Sequence, residues 1–99
     1  MANPDEIIHQ SLRLRIMAAL YAARETEPIE FGRLKALTEA TDGNLGSHLA
    51  TLEAAGYLKL EKEFVGKKPR TRAVITRSGV AAFRQHTSYL RDIIDGAAN

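Results

Sequence analysis

A mostly helical α+β fold is what the sequence predicts, and three observations predict it. Apolar residues recur every three or four positions through the first half of the 99-residue chain. After Gly56 the spacing changes to near-alternation with charged residues, on both sides of a Gly- and Pro-containing turn. Beyond Thr76 the helical period returns. The expected order is helix, helix, helix, strand, strand, helix in a single domain over 1–99, since a chain this short has room for one core.

The elements follow from local chemistry. Asn3 and Pro4 suit a helix start, as N-cap and first helical residue, with Asp5 and Glu6 at the positive end of the dipole. Ile8, Leu12, Ile16, Met17 and Leu20 continue that stripe to about Ala23. Arg24–Pro28 reads as a loop, and Ile29–Leu37 as a short helix with Phe31, Leu34 and Leu37 spaced by three. Thr38-Glu39-Ala40 is the turn, Thr41 the N-cap of a third helix, and Gly56 its natural C′ residue. Tyr57–Val65 is a half-buried strand, Gly66–Arg70 a turn, and Thr71–Thr76 the returning strand. Thr76 caps a last helix whose apolar face holds Val80, Phe83, Leu90, Ile93 and Ile94.

Composition excludes several functions. With no Cys there is no disulfide framework, thiolate metal site or cysteine nucleophile. No apolar run approaches the ~20 residues that span a bilayer, and the start MANPDEII has no basic and apolar regions of an export signal. A cytoplasmic, soluble domain without a membrane partner is expected. His9, His48 and His86 have no second ligand at i+3 or i+4, so no metal or other cofactor is expected. Ser47 and His48 are adjacent on a helix and point apart, so they form no catalytic pair, and no phosphate-cradling loop occurs. Catalysis is not expected.

The formal charge of +2 is unevenly distributed. From Tyr57 to Arg77 stand seven basic residues and two acidic ones, a net +5; the other 78 positions carry seven basic and ten acidic, a net −3. A basic hairpin is either a phosphate-binding surface or a solvated edge kept from aggregating. The element before it favours the first. The second and third helices form a helix-turn-helix. On the third, Leu45, Leu49 and Leu52 face the core, while Asn44, Ser47, His48 and Thr51 share an adjoining polar face. Asn pairs bidentately with adenine, and Ser, Thr and His bond base edges or phosphates. Gly43 and Gly46 each cost helix stability, which implies close approach to the backbone by DNA or by the preceding helix. At the hairpin tip, Lys67 and Lys68 suit phosphates, and Arg70 or Arg72, beside Thr71, suits a narrow minor groove.

From Leu12 through Phe83 the chain resembles the winged helix-turn-helix transcriptional regulators of the MarR/ArsR type. Thr41–Leu49 and Leu52–Leu58 look like their recognition helix and its exit. Lys62–Phe64, Lys67–Thr71 and Ile75–Gly79 look like their wing and the entry to the last helix. The resemblance is closest to a small prokaryotic subgroup whose recognition helix opens like Thr41–Leu45 and whose wing contains Lys68-Pro69-Arg70-Thr71. It implies a winged fold (three-helix core, two-stranded wing, C-terminal helix) and sequence-specific binding of double-stranded DNA by a homodimer, commonly as a repressor. Thr41, Asn44, Ser47, His48 and Thr51 would read the major groove, and Lys67, Lys68, Arg70, Thr71 and Arg72 would form the wing contact. Ile8, Leu12, Leu90, Ile93 and Ile94 near the termini are the expected dimer interface, with half-sites ~34–36 Å apart or a multiple of that. Two departures are plain: the Cys pairs of many ArsR-type sensors are absent from Phe31–Leu37, and no extra helices are available for a large effector pocket within one subunit. The sequence names no effector, operator or direction of regulation. The rival reading is a winged helix used for protein contacts or as an architectural DNA-binding module.

Overall fold

The computed structural model of the protein describes residues 3–97. Its elements are α1 (Ser11–Ala22), β1 (Ile29–Glu30), α2 (Phe31–Thr38), α3 (Asp42–Ala54), β2 (Leu58–Val65), β3 (Lys68–Ile75) and α4 (Arg77–Ala97). The winged fold class holds, with one strand more than expected: the antiparallel sheet has the order β1-β3-β2. β1 joins through Ile29↔Ala73 and Glu30↔Arg72. Two residues are too few to show a period, and their pairing is with a segment far along the chain.

The helix expected from Asn3 and Pro4 begins at Ser11 instead. The Asp5 carboxylate Oδ1 accepts from the backbone N–H groups of Ile7 and Ile8, both at 2.9 Å, and so closes a separate turn. A short acidic side chain satisfying nearby donors competes with helix propagation. Gln10 then takes extended dihedrals and caps α1, its Oε1 accepting from the Arg13 N–H at 2.9 Å.

The helix expected over Ile29–Leu37 begins at Phe31, because Ile29 and Glu30 pair as β1, whereas at the ends of α3 the chemistry is as read from the sequence. Thr41 is the N-cap of α3, its Oγ1 accepting from the Asn44 N–H at 3.2 Å. After Ala54 the chain turns at Gly56, with φ +82°; its N–H donates to the Glu53 carbonyl, and the Tyr57 N–H donates to that of Leu52. These two bonds are the Schellman pair, and the left-handed residue they need is the reason for glycine. The hairpin is tighter than expected. Strand pairing runs without interruption from Leu58↔Ile75 to Val65↔Lys68, leaving only Gly66-Lys67 as the loop. Positive φ at Gly66 and not at Lys67 marks a type II′ turn, whose twist matches the flanking strands. Pro69 and Arg70 are therefore strand residues. Pro69 is tolerated because β1 ends its pairing at Arg72, so no ladder bond is lost on that side.

Ile8, Ile16, Met17, Leu20, Leu34, Leu45, Leu49, Leu52, Leu58 and Ala73 form the core, joined by Ile75 and Phe83. Leu37, spaced by three from Leu34, is exposed; Thr38 takes the buried position and satisfies its hydroxyl by donating to the Leu34 carbonyl at 2.8 Å. α4 is anchored at its start, where Thr76 Oγ1 donates to the Gly56 carbonyl at 2.6 Å and accepts from the Gly79 N–H at 3.0 Å. Its far end leaves the core, with Ile93 and Ile94 exposed, in a molecule measuring 57 × 25 × 22 Å.

Candidate nucleic-acid interface

α3 presents its two faces as its period requires. Leu45, Leu49 and Leu52 are buried, while Thr41, Asn44, Ser47 and Thr51 are exposed and His48 is half-buried. The Thr51 hydroxyl donates to the Ser47 carbonyl at 3.2 Å, so it offers an outside ligand its lone pairs and methyl group. His48 is held from α1: Arg13 NH1 lies 3.1 Å from its Nδ1. The Arg13 Nε donates to the Ile7 carbonyl, which fixes the guanidinium. With a guanidinium donor on Nδ1, the neutral imidazole carries its proton on Nε2, as a donor for a phosphate or guanine. Arg13 had no role in the sequence reading, because the contact joins residues 35 positions apart.

Both carboxylates of α3 are engaged. Asp42 pairs with Lys35 of α2 at 2.8 Å, and Glu53 accepts from the Leu60 N–H at 2.7 Å, tying the helix to β2. Neither is a lone charge facing an approaching phosphate. Gly43 and Gly46 have open space where a β-carbon would stand, with no heavy atom within 4 Å. Packing of the preceding helix therefore does not account for these glycines. An open polar groove of about 510 Å³ continues this surface between the start of α1 and α3, lined in part by Gln10, Arg15, Thr41, Asn44 and His48.

The wing divides its cations into two kinds. Arg70 and Arg72 lie along one face of the sheet in a ladder with three glutamates. Arg70 pairs with Glu30 at 3.1 Å and Glu63 at 2.9 Å; Arg72 pairs with Glu61 at 3.2 Å and lies 3.8 Å from Glu63. Arg70 and Arg72, expected to suit a narrow minor groove, are each half-buried and paired with carboxylates on neighbouring strands. Register causes this, since Glu61↔Arg72 and Glu63↔Arg70 are direct cross-strand neighbours. Thr71, opposite Lys62, is half-buried. Lys62, Lys67 and Lys68 are exposed and join no ion pair among the described residues.

The terminal residues also separate. Ile8 is fully buried in the core of its own chain and is not available to a partner, which corrects its place in the expected interface. Leu12 is half-buried against that core and Leu90 half-buried on α4, while Ile93 and Ile94 are exposed. Near them, residues far apart in sequence meet. The Asp5 N–H donates to Nδ1 of buried His86 at 3.0 Å, and Tyr57 donates its hydroxyl to Asp5 Oδ2 at 2.6 Å. That bond holds the Tyr57 phenol in its neutral form, its pKa pushed up to about 12. Burial pushes the His86 pKa down, reinforced by His9, whose ring lies 5.6 Å away, and opposed by Asp5.

An exposed polar helix following a short turn, flanked by a lysine-tipped hairpin, defines a winged helix-turn-helix protein of the DNA-binding kind. The chain belongs to the winged helix DNA-binding domain family, whose model matches residues 12–94. It is 33% identical over 94 residues to the uncharacterized protein MJ0432 of Methanocaldococcus jannaschii, covering 95% of this chain and 96% of that one. Among solved structures, it resembles a transcriptional regulator homologue from Pyrococcus horikoshii (TM-score 0.83, 32% identity, 94% of this chain and 89% of that one). It also resembles a PadR-family transcriptional regulator from Eggerthella lenta (TM-score 0.68, 26% identity, 88% and 84%). The fold alone is shared with MepR of S. aureus, solved in complex with DNA (TM-score 0.75, 14% identity, 94% and 73%).

Proposed function

We propose that the protein is a sequence-specific regulator of transcription, acting in the cytoplasm as a homodimeric repressor on double-stranded DNA. The observation that carries the reading is the surface of α3. Its polar side chains point outward, its acids are tied up, and its glycines leave the backbone open to a ligand. In this reading α3 enters the major groove. Asn44 and Ser47 meet base edges, Thr41 and Thr51 meet bases or the adjoining backbone, and His48 donates from Nε2. Lys67 and Lys68 meet phosphates, with Thr71 behind them, and Arg70 and Arg72 stiffen the wing rather than reach the DNA. Two copies associate through Leu90, Ile93 and Ile94 of α4, with Leu12 at the edge of the contact. Support comes from the two exposed isoleucines on a helix that leaves the core.

The test is selection from randomised duplexes followed by fluorescence anisotropy. An enriched, two-fold-related motif is expected. Asn44→Ala or Ser47→Ala should relax preference for it, and Lys67→Ala with Lys68→Ala should weaken all duplexes alike and flatten the salt dependence. If no motif is enriched, sequence-specific regulation is to be abandoned for an architectural role. A wing double variant with unchanged affinity removes the lysines from the interface.

A further inference from the structure

The hairpin has one face with no part in the proposed DNA contacts. Leu58, Leu60, Lys62 and Phe64 of β2 alternate onto the same side, opposite Ile75, Ala73, Thr71 and Pro69 of β3. At the near end this face is core: Leu58 and Ala73 are each 2% exposed. At the far end the helices no longer cover it, and Phe64 is 74% exposed, directly paired with Pro69. Lys62 precedes it on the same face, and Lys67 and Lys68 follow at the turn, all exposed. On the opposite face the arginine–glutamate ladder fixes the only guanidinium groups of the wing. What the tip offers a ligand is therefore an exposed aromatic ring with Lys62 on its own face, Lys67 at the turn and Lys68 on the opposite face beside Val65.

We propose that Phe64 is a wedge that enters the minor groove of duplex DNA and partly unstacks a base step, while Lys67 and Lys68 hold the flanking phosphates. This rests on the duplex-binding reading and adds to it the residue by which the wing acts. Charge complementarity selects the ligand: an apolar ring at a tip whose turn and two faces each carry a lysine fits a groove whose walls are phosphates and whose floor is stacked bases. The base of the hairpin is tied to α3 where Glu53 accepts from the Leu60 N–H at 2.7 Å. A helix seated in the major groove thus carries the wing toward the adjoining backbone. Apolar wedges open base steps and bend the duplex, most cheaply at pyrimidine–purine steps. Through Phe64 the wing would favour sites by their deformability, without a hydrogen bond to any base.

The experiment uses the full chain and a selected duplex with 2-aminopurine at the wing position and a donor–acceptor dye pair at its ends. Phe64→Ala is expected to weaken binding about tenfold, to reduce the bend and the 2-aminopurine signal, and to leave the salt slope as in the wild type, since no charge is removed. Phe64→Leu, which keeps an apolar wedge, should restore most of the bend. The proposal is overturned if Phe64→Ala binds and bends the duplex like the wild type. It is likewise overturned if that variant loses only its binding to anionic phospholipid vesicles, or only its self-association in sedimentation. Failure of the wild type to bind any duplex refutes the functional reading itself. Wild-type binding without a Phe64 effect refutes only the wedge.

Discussion

Replacing Gly46 by Ala separates what α3 needs for folding from what it needs for its ligand. Gly46 lies inside the helix, within Asp42–Ala54, and a β-carbon there would find no heavy atom within 4 Å. No steric cost opposes the substitution in the isolated protein. Helix propensity then decides, and Ala is favoured over Gly by about 0.5–1 kcal/mol in a helix interior. For a domain of this size that is a rise in Tm of roughly 2–8 °C. The same methyl group projects into the space a groove wall would occupy, so duplex affinity should fall while stability rises. Urea unfolding followed by circular dichroism gives the first quantity and fluorescence anisotropy the second, both at one protein concentration because association shifts apparent stability. A variant that is more stable and binds as tightly as the wild type would refute the claim that close approach requires this glycine. A less stable variant would refute the open outer surface of α3.

Other expectations follow from the same geometry. Gly79→Ala should have the opposite sign, because its β-carbon would lie 2.0 Å from the Tyr57 carbonyl oxygen and 2.9 Å from Ile75 Cγ1. Overpacking against backbone costs about 1–3 kcal/mol, to be read as a lower urea midpoint, and an unchanged midpoint would contradict the close seating of α4. Thr41→Ala removes the cap of α3 and should lower stability by about 1 kcal/mol in the same unfolding assay. His86 gives a pH dependence. Its folded pKa is depressed, so its contribution to stability is complete above the unfolded value of about 6.5 and is lost as pH falls through the folded value. Melting between pH 7 and 5 should therefore show a fall in Tm that His86→Asn makes shallower; equal slopes would exclude His86 as the group responsible.

The elements that rest on local chemistry were legible in the sequence, and those that rest on distant partners were not. Thr41, Gly56 and Thr76 announce helix ends because a cap or a left-handed turn is a property of a few consecutive residues. The leucine spacing of α3 assigned its inner and outer faces for the same reason. β1, by contrast, exists only through its register with Ala73 and Arg72. The N-terminal turn depends on Asp5, whose second oxygen is fixed by Tyr57, 52 positions away. Arg13 at His48 and the meeting of His9 with His86 are likewise products of the tertiary fold. Ile8 was correctly placed on an apolar stripe but wrongly given to a partner, since periodicity identifies a buried face without saying what buries it.

The ladder changes what the basic hairpin can contribute. Arg70, Arg72, Glu61 and Glu63 cancel in charge, so the +5 of Tyr57–Arg77 resides in Lys59, Lys62, Lys67, Lys68 and Arg77. The charge is as large as it looked, but only Lys67 and Lys68, with Lys62 nearby, carry it at the tip, and they carry it as ammonium groups. Lysine meets phosphate as a point charge, whereas the planar fork of arginine is what reads a base edge or fills a narrow groove. The salt dependence assigned to the wing should follow this count. Two tip lysines neutralising two phosphates contribute about 1.8 to the log–log slope, or about 3.6 for a dimer. Charge reversal at Glu63 tests the ladder face: Glu63→Lys adds a cation and leaves Arg70 its pair with Glu30, so duplex affinity by fluorescence anisotropy should rise with a steeper salt slope, and unchanged affinity would exclude this face from the contact. On the proposed reading, hydrogen-bonded sequence readout would be left to α3, and the wing would add affinity and, through Phe64, a preference for duplexes that bend.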